Sequence, residues 1–296
     1  MKPLKILALA VSLATPVAAQ ADIAQAQALQ AQTGALDTYR NVLPLEGGSN
    51  FRDMGGYQTR DGHTVRRGLL YRSGVMTGLT ADDVDYLADF DFATVVDLRS
   101  SEERELFPNR WAKAAEIDYI SLDYSMIDMM KAGMQDGERP DMATLYKSLP
   151  YSIKPQLKQY FAQAVAGHAP LVVNCSAGQD RTGIASALML TALDVPRSRI
   201  VQDYVLSTEY RRPAVERGGV DIGKAAETNA FAKMMLRYAD KEQSMAAPLI
   251  TEEGVPYLVY ALQQIEADYG SVLAFMDKEL GVGDKEIAAL KRWYLL

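Results

Sequence analysis

The chain has 296 residues, 48% of them hydrophobic, and 31 lysines and arginines against 38 aspartates and glutamates, for a net charge of −7. This is ample material for a core, too little charge for wholesale disorder, and the wrong sign for non-specific nucleic-acid binding. One cysteine and two histidines exclude an internal disulfide and a Cys/His zinc site, so Cys175 is either a small core hydrophobe or a reactive thiol.

Residues 1–21 have the layout of a secretory signal peptide. Lys2 and Lys5 come first, then an apolar run from Ile6 to Leu13, then small residues with cleavage expected after Ala19 or Ala21. The apolar run is too short to span a bilayer and no later run approaches that length, so a periplasmic or secreted product without stable membrane insertion is expected. Residues 22–44 form an Ala/Gln-rich extension, read over Asp22–Leu36 either as a solvated helix or as a flexible linker. No Ser/Gly/Pro-rich linker divides residues 45–296, which are read as one domain.

In that domain, Gly55-Gly56 marks a tight turn and Asp61-Gly62 a hairpin, with a strand expected over Val65–Arg72. Thr80–Leu87 reads as a helix opened by a capping box between Thr80 and Asp83. Ala93–Leu98 is β-branched and apolar, a buried strand. Ser100-Ser101-Glu102-Glu103 resembles a helix start, and a further strand is expected over Ile117–Leu122. Asp123–Asp141 mixes Met, Gly and Asp without a period and reads as a long connection suited to a lid. Lys154–Ala166 carries apolar residues at Leu157, Tyr160, Phe161, Ala164 and Val165, a helical spacing that Gly167 stops. Pro170–Asn174 is a short strand, and Thr182–Leu193 an apolar helix packed deep in the protein. The last hundred or so residues have helical patterning, with a stop at Gly281. The alternation predicts an α/β fold: a central, mostly parallel sheet flanked by helices, with a helical C-terminal part.

The chemistry lies between the last strand and the deep helix, in Cys175-Ser176-Ala177-Gly178-Gln179-Asp180-Arg181-Thr182-Gly183. A strand that turns tightly into a helix N-terminus directs several backbone N–H groups into one concavity that attracts anions. Gly178 permits the turn and a close approach, and Arg181 adds a bidentate grip on two phosphate oxygens. Cys175 is expected at the base of such a cup, its sulfur aimed at the bound anion as a nucleophile. The set predicts in-line attack on phosphorus, a cysteinyl-phosphate intermediate and its hydrolysis, with Thr182 expected to hydrogen-bond the sulfur. A lone thiol also lacks the resolving partner that redox cycling needs.

The loop Asn174–Gly183 resembles the signature loop of the protein tyrosine phosphatase superfamily. Its D-R-T-G ending resembles the atypical bacterial branch of secreted tyrosine and lipid phosphatases, the mycobacterial tyrosine phosphatase B type. Asn50–Tyr57, Tyr71–Gly74, Val96–Ser100 and Tyr269-Gly270-Ser271 are similar to motifs of that branch in the same order. The resemblance implies a cysteine phosphatase-like fold without metal or organic cofactor and a phosphorylated protein or small phosphomonoester as substrate. It departs at two positions: the branch usually has His where Asn174 stands, and often a Lys, associated with phosphoinositide handling, where Gln179 stands.

For the proton donor to the leaving group, Asp180 in the loop is favoured, as the branch places an Asp there, and Asp97 at the end of a buried strand comes second. Asp123 and Asp128 lie in the long connection. His63 and His168 sit in turns and read as surface residues. Asp180 reads equally as a helix N-terminal charge, and Asp97 as a partner for a backbone turn. Arg52, Asp53 and Arg72 form a second polar set, either rimming the pocket or pairing within the scaffold. Ser176, Ala177, Gly178, Gln179, Thr182 and Gly183 are the expected substrate-binding residues. The expected function is hydrolysis of phosphotyrosine, and of phosphoserine or phosphothreonine beside it. The alternatives are a phosphatase of phosphoinositides or inositol phosphates, and a module that holds phospho-ligands without turnover.

Overall fold

The computed structural model describes residues 41–134, 140–238 and 249–296. The expected signal segment 1–21, the extension through residue 40 and residues 135–139 of the long connection lie outside the described residues.

Five short strands build the sheet: β1 (Arg52–Asp53), β2 (Leu70–Ser73), β3 (Thr94–Asp97), β4 (Asp118–Ser121) and β5 (Leu171–Asn174), in the order β1-β2-β5-β3-β4. Every pairing is parallel except β1 with β2. The central strand is therefore the last in sequence, and chain connections run away from it on both sides. In open parallel sheets such a reversal leaves a crevice at the carboxyl ends of the strands. The register brings Ser73, Asn174, Asp97 and Ser121, the last residues of four strands, level along that edge.

β5 is Leu-Val-Val-Asn and buried throughout. Its side chains alternate between faces. Leu171 and Val173 join the larger core with Leu70 and Val96. Val172 joins a smaller core with Tyr71, Val95, Phe51, Phe92 and Trp111. Each fully buried aliphatic side chain contributes about 1.5–3 kcal/mol.

The helices between strands are α1 (Ala81–Ala88), α2 (Ser101–Leu106), α3 (Arg110–Ala114), α4 (Met126–Ala132), α5 (Met142–Ser152) and α6 (Lys154–Ala166). After β5 come α7 (Asp180–Ala192), α8 (Arg197–Val205), the single turns α9 (Ser207–Tyr210), α10 (Pro213–Glu216) and α11 (Ile222–Ala225), and α12 (Ala230–Tyr238). The C-terminal part is α13 (Tyr257–Tyr269), α14 (Val272–Phe275), a π-helical turn over Met276–Leu280, and α15 (Asp284–Tyr294). α6 and α7 pack on the sheet face of the larger core. Trp111 and Ala112 of α3 and Leu87 of α1 cover the other face.

Local signals read from sequence recur where their physics predicts. Thr80 and Asp83 close a reciprocal capping box on α1, and Ser100 and Glu103 another on α2. Gly167 and Gly281 cap their helices at φ 78° and 72°.

Three expectations differ. The strand read over Val65–Arg72 starts only at Leu70. Gly68 turns the chain at φ 78°, its N–H donates to Asp53 Oδ2 (2.8 Å), and Val65 bridges Leu295 instead. The connection Asp123–Asp141 is not featureless. Met126–Ala132 is helical, with the Ser125 hydroxyl accepting from the Asp128 N–H. The deep helix begins at Asp180 rather than Thr182, so the second half of the cysteine loop is already its first turn.

Candidate active site

Residues 175–179 link β5 to α7 at the crevice. Cys175 lies at the base, 1% exposed. Gly178 has φ 66°, and a Cβ on it would lie 2.6 Å from the Gly74 nitrogen and the Ser73 carbonyl. Only glycine fits both the conformation and the space.

The loop carbonyls are held from outside. Ser176 O accepts from Val75 N–H (2.9 Å), Ala177 O from Asn50 Nδ2 (3.1 Å), and Gly178 O from both Asn50 Nδ2 (2.9 Å) and Arg72 Nη2 (2.8 Å). Asn174 O accepts from the Leu98 N–H (2.9 Å). Among the described residues, the N–H groups of Ser176 through Arg181 find no protein acceptor. With the carbonyls committed outward, those donors remain for a ligand.

Arg181 is fixed by a carboxylate from the stretch that the sequence marked only as a helix start. Its Nη1 and Nη2 donate to Glu103 Oε2 (2.7 Å) and Oε1 (2.6 Å), and Nη1 also donates to the Tyr124 hydroxyl (2.7 Å) and Leu98 O (3.2 Å). Ser176 Oγ donates to the same Glu103 Oε1 (2.5 Å). Burial pushes the Glu103 carboxyl up, but the Arg181 charge and the bonds from Arg181 and Ser176 prevail and hold it at about 2. Burial pushes the Tyr124 phenol up to about 12, so it stays a neutral partner. Of the five guanidinium hydrogens, those on Nε and one on Nη2 have no acceptor among the described residues. They form the edge that suits two oxygens of one phosphate.

Arg52, Asp53 and Arg72 do not rim the pocket. Arg52 and Arg72 are 2% and 0% exposed. Both clasp Asp203 of α8, Arg72 through Nη1 to Oδ2 (2.5 Å) and Arg52 through Nε to Oδ1 (3.3 Å), with the Tyr57 hydroxyl donating to Oδ1 (3.0 Å). Arg52 also holds Asn50, which holds the loop. Burial and the neighbouring Arg72 charge lower the Arg52 guanidinium to about 10. The two arginines hold Asp203 below the usual carboxylate range despite its burial. Asp53 pairs with neither; it accepts from the Gly55 (2.7 Å) and Gly68 (2.8 Å) N–H groups.

The candidate acids separate by environment. Asp180 is half-buried at the start of α7, and its Oδ1 accepts from the Tyr146 hydroxyl. Asp97 is fully buried and saturated by Arg99 (2.5–3.0 Å) and by the Tyr119 hydroxyl (2.6 Å), which leaves it no free face for a substrate. Asp123 is exposed and bound to Arg104 (2.6 Å). Asp128 is exposed and 3.6 Å from Lys131 Nζ. His63 contacts Asp61 and His168 contacts Gln163, both on the surface.

The rest of the loop divides between cup and scaffold. Thr182 is fully buried, and its Oγ1 has no partner among the described residues, Cys175 included, so the expected bond to the sulfur is not made. Gly183 is buried, and a Cβ there would lie 2.9 Å from the Tyr204 ring, so it serves the packing of α8 on α7 rather than a substrate. Gln179 is 3% exposed, and its Oε1 accepts from Arg211 Nη1 (2.7 Å), which Glu216 holds in turn (2.9 and 3.0 Å). Both polar side-chain atoms of Asn174 are buried without a partner among the described residues. Glu103, Tyr124, Asp203, Tyr146, Tyr204 and Arg211 were given no role in the site from the sequence, although Glu103 was visible in a helix start and Asn50 in a motif.

A compact, multiply charged oxyanion is the ligand that can satisfy the N–H set and the Arg181 edge together, and a thiol waits beneath it. On a parallel sheet with this connectivity, those requirements define a cysteine-dependent phosphatase. The sequence model of a tyrosine phosphatase family matches residues 43–296, and the chain belongs to that family. A Cupriavidus necator protein provisionally named a tyrosine-protein phosphatase is 28% identical over 272 residues, covering 90% of this chain and 93% of that protein. A tyrosine-protein phosphatase of Nostoc commune is 29% identical over 151 residues, covering 47% of this chain and 48% of that protein. The triple specificity protein phosphatase PtpB of Mycobacterium tuberculosis is 25% identical over 285 residues, covering 84% of this chain and 98% of that protein.

Proposed function

We propose that the protein hydrolyses phosphotyrosine, with phosphoserine and phosphothreonine as further substrates, through a cysteinyl-phosphate on Cys175. The phosphoryl oxygens lie on the N–H groups of Ser176 through Arg181 and on the free edge of Arg181. The Cys175 sulfur attacks phosphorus in line as the bond to the leaving oxygen breaks. Asp180 gives that oxygen its proton, then takes a proton from the water that cleaves the S–P bond. The N–H cup and Arg181 stabilise the equatorial oxygens in both steps. The observation that carries this reading is the loop itself, whose carbonyls are tied outward while its amides and the guanidinium edge stay free above one thiol.

Cys175→Ser is expected to abolish hydrolysis of p-nitrophenyl phosphate and leave the thermal transition in place, while vanadate inhibits the unaltered enzyme. Full activity in that variant would refute the mechanism. A panel of phosphopeptides, phosphoinositides and inositol phosphates tests the substrate class. The basic, apolar and small-residue layout of residues 1–21 supports export to the periplasm or beyond, which N-terminal sequencing of protein recovered outside the cytoplasm checks.

A further inference from the structure

The hydroxyl of Tyr204 on α8 donates to the hydroxyl of Tyr146 on α5 (2.7 Å), and Tyr146 donates to Asp180 Oδ1. Both rings are buried, at 0% and 1% exposure. Tyr146 stacks on Tyr257 (5.6 Å between centroids, 25° between planes) and meets Tyr204 edge-on (6.0 Å, 80°). Buried phenols need a hydrogen-bond partner, and this chain of donors runs one way and ends on a single carboxylate oxygen. Burial and the Asp180 charge push both phenols well above their usual range, so they remain protonated donors. Among the described residues, Asp180 Oδ2 accepts from no protein donor. Gly183 provides the space that lets the Tyr204 ring reach this position.

We infer that Tyr146, backed by Tyr204, is the positioning residue for Asp180, occupying Oδ1 so that Oδ2 alone faces the leaving oxygen. The inference rests on Asp180 as the proton donor. In the first step the proton on Oδ2 passes to the leaving oxygen as its bond to phosphorus breaks. The negative charge left on the carboxylate is met by the Tyr146 O–H, itself polarised by the Tyr204 O–H. In the second step water attacks phosphorus, its proton returns to Oδ2, and the sulfur leaves as thiolate. Arg211, held on Gln179 Oε1 beside the loop, is a cation whose field reaches both Asp180 and Cys175. The relay therefore acts on the proton transfer, while phosphate capture by the cup and Arg181 is left intact.

The test uses kcat and KM on p-nitrophenyl phosphate, a good leaving group, and phenyl phosphate, a poorer one, for Asp180→Asn, Tyr146→Phe, Tyr204→Phe and the Asp180→Asn/Tyr146→Phe double variant. Tyr146→Phe is expected to lower kcat on phenyl phosphate about 10- to 100-fold, with a smaller loss on p-nitrophenyl phosphate and KM unchanged on both. Tyr204→Phe follows in the same direction with a smaller loss, and supplies the result if Tyr146→Phe fails to fold. The double variant is expected to be no slower than Asp180→Asn alone. An equal loss on both substrates, or a loss that multiplies with Asp180→Asn, overturns the inference. If Asp180→Asn discriminates between the substrates and both phenylalanine variants are silent, only the relay falls. If Asp180→Asn does not discriminate, the proton-donor reading falls and takes the relay with it.

Discussion

Replacing Glu103 by Gln removes the charge that anchors Arg181 while preserving shape. The wild-type carboxyl is held at about 2 against an ordinary 4.5. At about 1.4 kcal/mol per unit, its ionised form contributes on the order of 3 kcal/mol to the folded state. Glu103 is fully buried and Arg181 only 9% exposed, so solvent screens that contribution little. Breaking a buried pair by removing one partner typically costs about 3–5 kcal/mol, the same scale. For a domain of this size, 3 kcal/mol lowers the thermal midpoint by about 6–12 °C. The effect depends on pH with a definite sign. Because the folded-state value is depressed, the stabilisation is complete above about 4.5 and is lost as pH falls through about 2. Urea unfolding of wild type and Glu103→Gln at pH 7, 4 and 2.5 tests this: the gap between their stabilities is expected to shrink across that series. Catalysis reads out the same pair, since a guanidinium freed from Glu103 no longer presents a fixed edge, and KM for p-nitrophenyl phosphate is expected to rise. A stability gap at pH 7 below about 1 kcal/mol, or one that does not shrink in acid, would refute the account.

Gly178→Ala forces a Cβ to 2.6 Å from backbone atoms at φ 66°. It is expected to cost about 1–3 kcal/mol and to weaken phosphate inhibition at least tenfold, measured by thermal unfolding and inhibition kinetics. Asp203→Asn leaves Arg52 and Arg72 as buried like charges. The expected loss is about 3–5 kcal/mol by urea unfolding, with slower turnover because both arginines brace the loop through Asn50 and Gly178.

What was legible in the sequence was mainly what neighbouring residues determine. The box at Thr80/Asp83, the helix start at Ser100–Glu103, the stop at Gly167 and the apolar runs of β3 and β5 are local, and they appear where expected. The Met-rich α4 was missed because it leaves no residue fully buried and so carries no clear apolar stripe. The strand before Arg72 was drawn too long because Val65, Leu69 and Leu70 suggest continuity, whereas Gly68 at positive φ breaks it. Within the site, Cys175, Gly178 and Arg181 could be found because a strand–loop–helix cup is a contiguous object. Their supports could not. Glu103 lies 78 residues from Arg181, and Asp203 lies 131 from Arg72. Arg52 and Arg72 looked equally suited to a rim or a scaffold. Their burial decided it, and burial is a property of the assembled sheet.

The outward ties of the cysteine loop bear on how the enzyme comes into being. Asn50 reaches Gly178 across 128 residues of chain and Arg72 reaches it across 106. Contacts of such separation carry the largest loop-closure cost and are made late in folding. The first strands of the sheet must wait for the fifth, which arrives last on the ribosome yet takes the middle place. Hydrolytic competence is thus the final property the nascent chain acquires, and recovery of turnover during refolding should trail the return of helical circular dichroism. A partly assembled molecule is in this sense a silent one, because the cup does not exist until the strands on both sides have joined the central one.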